Sequence, residues 1–176
     1  YLLQDINSLK SIVKKVRNLH HNTLTVKIRT GFHDDKNFTT ILKTLEDEGV
    51  EAITIHARLR DQLYKGIADW KYIKQAVETV SIPIIGNGDI WTQSDITKIF
   101  NETKCHSVMI ARGALKTPWL PLLDPNLTDQ QELNQIRRVI LPKYFSELYN
   151  QYKEQEIDEI NILKRFKAVS RYLFDD

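Results

Sequence analysis

Residues suited to binding and catalysis recur in this sequence at one kind of place: the end of a short apolar run. Lys27 lies in Thr25-Val26-Lys27-Ile28-Arg29, and His56 closes Ile53-Thr54-Ile55-His56. Asn87-Gly88-Asp89 follows Pro83-Ile84-Ile85-Gly86, and Arg112-Gly113 follows Ser107-Val108-Met109-Ile110-Ala111. An inward lysine is costly to desolvate without an anionic partner. Histidine brings a group that titrates near neutral pH. Glycine lets the backbone turn sharply and approach a ligand closely, so its N–H groups can meet anionic oxygens. Lys27 paired with a distant carboxylate, or His56 as a hydrogen-bonded core imidazole, would be purely structural. The two together, with two glycine-ended runs beyond them, favour a bound anionic cofactor.

Further cations lie outside these runs. Arg58 and Arg60 stand in a polar stretch from Ala57 to Ala68. Planar guanidinium suits the phosphates of a polymeric substrate, although such a pair also suits a solvated loop. Near the C-terminus Lys164, Lys167 and Arg171 follow i, i+3, i+7 spacing, with Arg165 beside them. That spacing predicts a row of charge on one helix face, opposite an apolar side formed by Leu163, Phe166 and Leu173.

The elements that position these residues follow from periodicity. Ile6, Leu9, Val13, Val16 and Leu19 fall at helical spacing, as do Phe38, Ile41, Leu42 and Leu45. Gly49 stands where a C-terminal cap belongs, Asp69 can cap a helix through Trp70, Ile73, Val77 and Val80, and Thr92 with Asp95 resembles a capping box. Strands are expected over 24–29, 52–56, 84–86 and 107–111. Alternation sends Val26 and Ile55 toward the helices and sends Lys27 and His56, at equivalent places on neighbouring strands, to the opposite face. Strand, loop and amphipathic helix, repeated, predict an α/β fold with a parallel sheet. Four such units are half of a (β/α)8 barrel, whose C-terminal face carries active sites and often binds phosphate after its last strands. Pro118, Pro121 and Pro125 then mark a linker, with a domain boundary near Pro121. Beyond it helices are expected over 128–141, 142–154 and 157–174. The expected organisation is a barrel part over 1–121 and a helical bundle over 122–176.

Composition narrows the class. The chain has 176 residues, 41% hydrophobic and 27% charged, with a net charge of +2. These are ordinary values for a globular protein, and the charge alone argues for neither nucleic acid nor membrane. A single cysteine, Cys105, excludes an internal disulfide framework and fits a reducing, cytoplasmic setting. It precedes the fourth strand, at the end opposite the active face, and is read as structural.

With these residues in place, the sequence resembles the flavin-dependent tRNA-dihydrouridine synthases. The resemblance is carried by Thr25-Val26-Lys27-Ile28-Arg29-Thr30-Gly31, Thr54-Ile55-His56-Ala57-Arg58, Tyr64-Lys65-Gly66-Ile67-Ala68-Asp69-Trp70, Ile82 to Ile90, and Val108 to Leu115, in that order over residues 25–119. Ile90-Trp91 and the tail from Ile162 to Leu173 look most like the bacterial C-type branch. The resemblance implies a TIM barrel that binds FMN and reduces a specific uridine of tRNA, with NADPH as electron source. It implies that Lys27 and His56 contact the flavin ring, and that Asn87, Gly88 and Asp89, with Ala111, Arg112 and Gly113, hold its phosphate end. A helical tRNA-binding domain follows, and neither a membrane nor a protein partner is implied.

Two departures bear on these expectations. His56-Ala57-Arg58-Leu59 stands where the family commonly shows His-Gly-Arg-Thr, which touches that loop's substrate contacts. The family's general acid is a cysteine upstream of the region present here, and Cys105 does not match its motif. The expectation is therefore the C-terminal part of a longer enzyme, with no catalytic residue of its own. Two other readings stay open: an FMN-dependent barrel oxidoreductase of the dihydroorotate-dehydrogenase kind, and a non-catalytic RNA-binding remnant.

Overall fold

The computed structural model describes residues 2–120 and 130–174. These fall into two compact units, one formed by Tyr1–Ile90 with Ser94–Ala111, the other by Trp91–Gln93 with Arg112–Asp176. The boundary expected near Pro121 lies outside the described residues.

In the first unit, strands β1 (Thr25–Arg29), β2 (Ala52–His56), β3 (Ile84–Asn87) and β4 (Ser107–Met109) form one sheet in chain order. Every pairing is parallel. Helices α1 (Ile6–Leu19), α2 (Phe38–Asp47), α3 (Lys71–Thr79) and α4 (Gln93–Thr103) alternate with the strands. This is the α/β arrangement the periodicity predicts, and consecutive parallel order is that of successive barrel units.

One sheet face makes the core. Ile28, Ile53, Ile55 and Ile84 pack on Phe38, Ile41, Leu42, Leu45, Ile73 and Ile99, all buried. Gly86 belongs to this face because a Cβ there would lie 2.9 Å from Ile99 Cδ1. Cys105 is buried in the same cluster, as its structural reading requires.

Local signals place the helix ends. Asp5 caps α1 through the Ser8 N–H at 3.0 Å. Gly49, at φ +82°, ends α2: its N–H reaches Glu46 O and that of Val50 reaches Leu45 O, a Schellman motif. Asp69, expected as the cap of α3, accepts the Lys71 N–H at 3.1 Å but stands one residue before the N-cap, which is Trp70.

In the second unit, α5 (Arg112–Lys116) precedes α6 (Gln130–Glu154) and α7 (Glu159–Phe174). Here the structure corrects the sequence reading, since the helices expected over 128–141 and 142–154 are one helix of 25 residues with Pro142 inside it. Proline removes one i→i−4 bond, but the many remaining bonds carry the helix through. The α6–α7 contact is aromatic. Phe166 lies 5.3 Å from Phe145, 6.5 Å from Tyr149 and 6.2 Å from Tyr152 between ring centroids. The expected apolar face also shifts by one residue. Leu163 is 55% exposed, whereas Ile162 and Leu173 are buried.

Candidate functional site

The second face of the sheet is built from residues two apart. Thr25, Lys27 and Arg29 alternate with the core residues of β1, and register carries the same side onto Thr54 and His56, Ile85 and Asn87, and Ser107 and Met109. Lys27 pairs with Thr54, while His56 pairs with Arg29 and with Asn87. Lys27 and His56 therefore share a face but not a level, and Arg29 is the true counterpart of His56.

This face is cationic at its C-terminal end. Lys27 is exposed and, among the described residues, has no carboxylate partner. Partial burial, then the neighbouring Arg29 guanidinium, pull its ammonium pKa below the usual lysine value. His56 is buried, and its pKa is pushed down to about 4 by burial first and then by Arg29, Lys27 and Arg58. Its ring is neutral at physiological pH and presents one N–H donor and one acceptor. Asn87 is buried and its Nδ2 donates to Met109 O at 2.6 Å, which fixes the side-chain amide across β4.

Gly88, at φ +121°, turns the chain after β3. A Cβ there would stand 2.7 Å from Ala68 Cβ and 3.2 Å from His56 Cδ2, so only glycine fits. Its carbonyl accepts Trp70 Nε1–H at 2.9 Å. Asp89, expected beside the cofactor, turns inward at φ 52° and accepts the Ala68 N–H at 2.7 Å.

Arg58 departs from expectation most. It is only 2% exposed, so it is not a loop cation open to phosphate. Its Nη2 donates to Asp89 Oδ2 and to Gly66 O, each at 2.6 Å. A single sequence does not reveal that pairing, because Arg58 and Asp89 are separated by a helix and a strand. Arg60 is exposed, and its backbone N–H donates to Gly31 O at 2.9 Å. Ala111 ends the first unit and is exposed, while Arg112 and the buried Gly113 open α5 in the second. Arg112 lies 4.9 Å over the Trp91 ring. Lys164, Arg165, Lys167 and Arg171 are all exposed on α7, with Arg165 stacked 4.9 Å over Tyr152.

Chemically, the first-unit face can hold an anionic, partly planar ligand. Lys27 and Arg29 offer charge, His56 a neutral donor, and the β3 turn a close backbone approach. No cluster of His, Cys, Asp or Glu among the described residues could hold a metal ion.

Residues 1–172 match the family model described as dihydrouridine synthase. The chain is 36% identical over 158 residues to tRNA-dihydrouridine synthase B of Pasteurella multocida, which covers 86% of this chain and 47% of that protein. It is 31% identical over 195 residues to tRNA-dihydrouridine(16) synthase of Shewanella oneidensis, covering 98% and 62% respectively. A tRNA-dihydrouridine(47) synthase [NAD(P)(+)]-like protein of Xenopus tropicalis is 40% identical over 121 residues, 68% of this chain and 19% of its own length. The chain thus spans less than two thirds of the length of each of these relatives, and they carry several designations rather than one branch's.

Proposed function

This chain belongs to the dihydrouridine synthase family, and from that premise we propose that it supplies the FMN-binding face and an RNA-binding helical element of a tRNA-dihydrouridine synthase. The enzyme would reduce a uridine of tRNA, with NADPH as electron source. One observation carries the reading: Lys27 stands without a carboxylate partner on the face it shares with Arg29 and a neutral His56. Exposed beside Arg29, its ammonium is open to an anion that comes from outside the described residues.

That donor set fits FMN. Bound there, FMN would supply hydride to the pyrimidine. Lys27 would stabilise negative charge on the reduced ring, because an oriented cation in a partly desolvated site favours the anionic form. His56 would donate one hydrogen bond without adding charge. Asn87 and Gly88 would support the ribityl-phosphate end, where Gly88 lets the backbone come close. The first unit would then be half of a (β/α)8 barrel, and the helical second unit would follow tRNA phosphates through the exposed Lys164, Arg165, Lys167 and Arg171. A barrel oxidoreductase acting on a free small molecule has no need of such a row.

The test is the full-length protein. It is expected to be yellow, to release FMN on denaturation, and to convert uridine to dihydrouridine in unmodified tRNA when given NADPH. A folded, colourless protein that takes up no added FMN would sink the reading.

A further inference from the structure

We infer that Arg58 and Arg29 are positioning residues, two guanidinium clamps that hold the loop 57–68 as a preorganised rim presenting Tyr64 beside His56 to an unstacked nucleobase. The inference rests on the reading of this face as an FMN and RNA site. The loop has little packing of its own, because residues 61–67 are all exposed, with Leu63 at 47%, Tyr64 at 62% and Ile67 at 82%. It also turns through Leu63 at φ 49° and Gly66 at φ 68°. Left to itself, such a segment would sample many conformations.

Guanidinium groups collect its carbonyls instead. Arg29 Nη1 donates to Leu59 O at 2.8 Å and to Leu63 O at 2.9 Å. Arg58 donates from Nη2 to Gly66 O at 2.6 Å and from Nε to Lys65 O at 3.4 Å. Asp89 Oδ2 closes the arrangement by accepting both Arg58 Nη2 at 2.6 Å and the Ala68 N–H at 2.7 Å. The loop is thereby tied at one side to β1 and at the other to the turn after β3. Arg58 spreads its bonds over Nε and Nη2 of one planar group, a geometry that a lysine ammonium does not reproduce, while Arg29 gathers both of its carbonyls on Nη1.

What the clamps hold in place is an aromatic ring. Tyr64 lies 6.3 Å from the His56 ring and 5.7 Å from Arg29 Cζ, between centroids and over the ring face respectively. Arg60 and Lys65 belong to the same loop, both exposed. An exposed ring among cations is the chemistry that takes an unstacked base together with its phosphates. Fixing the loop beforehand removes an ordering cost from binding.

Arg58→Lys and Arg29→Lys in the full-length protein test this, since both keep the charge and lose the planar guanidinium that reaches these carbonyls. For Arg58→Lys the amides of 63–68 are expected to exchange roughly ten-fold faster. Its Kd for tRNA is expected to rise about ten-fold, while the rate at which NADPH reduces the flavin stays within two-fold. Tyr64→Leu is expected to raise the tRNA Kd to a similar extent with the loop amides still protected, and Tyr64→Phe to restore it. If Arg58→Lys does not fold, Arg29→Lys gives the exchange and Kd readouts from the other clamp. Unchanged protection in a folded clamp variant, or diminished protection with unchanged tRNA affinity, overturns the inference. A flavin-free protein would defeat the FMN reading alone, because exchange and tRNA affinity decide the clamps without it.

Discussion

Lys27 is the residue on which the flavin reading turns. On the proposed reading, Lys27→Ala would remove a charge-assisted interaction with the flavin of roughly 1.5–3 kcal/mol. The anionic reduced flavin would lose more than the oxidised form, so the midpoint potential is expected to fall; an unchanged potential and activity would show that Lys27 points elsewhere. His56 makes a prediction that needs no ligand. Its folded pKa of about 4 lies below the ordinary 6.5, chiefly because the ring is buried. Between those values the unfolded chain binds a proton that the folded chain refuses. The stability contributed by the neutral ring is therefore full above about pH 6.5 and is lost as pH falls toward 4. Urea midpoints measured across this window are expected to fall less steeply in His56→Asn than in the parent, and equal slopes would assign the pH dependence to another group.

Among the elements, the turn after β3 and the long helix α6 carry opposite expectations. Gly88→Ala places a methyl 2.7 Å from Ala68 Cβ at a φ of +121°. That combination of strain and crowding is expected to cost about 1–3 kcal/mol in chemical denaturation. Gly86→Ala meets the end of a flexible isoleucine at 2.9 Å, which can shift, so the smaller loss is expected there. Pro142 lies inside α6 and removes a helical hydrogen bond. Pro142→Ala is expected to stabilise the helical unit by roughly 1–3 kcal/mol, read as a higher unfolding midpoint. A lower midpoint would mean that the proline ring itself packs against a neighbour.

For the whole molecule the proposal to test is that RNA is held by the cation row of α7. A cation bound to a phosphate displaces counterions, so removing one such cation lowers the slope of log K against log salt by about 0.7–0.9. Changing Lys164, Lys167 and Arg171 together to Gln is expected to weaken tRNA binding and flatten that slope by roughly 2. Flavin content is expected to stay at the parent level, because the substitutions lie in the second unit. An unaltered slope would leave this row an ordinary solvated face and move the proposed RNA contact to the first unit, where Arg60 and Lys65 are exposed.

The sequence by itself determined the order and type of the elements in the first unit. Period-two runs ending in small residues and period-3.6 stripes ending in Gly49 are local signals, and local backbone physics answers them directly. The same runs, with their resemblance to one family, pointed to Lys27, His56 and Asn87, which the register places on one sheet face. Tertiary structure decided what depends on neighbours distant in the chain. Register, set by how β1 and β2 hydrogen-bond, matched His56 with Arg29 rather than with Lys27. Burial turned Arg58 from an apparent phosphate binder into the partner of Asp89, because a guanidinium removed from water must find a carboxylate and carbonyls wherever the fold brings them. The helix expected to break at Pro142 continues, since one missing bond does not end a helix whose flanking residues pack on a second. For the same reason Ile162 anchors α7 in place of Leu163: helical spacing defines a stripe, and only the packed partner selects which edge of it is covered.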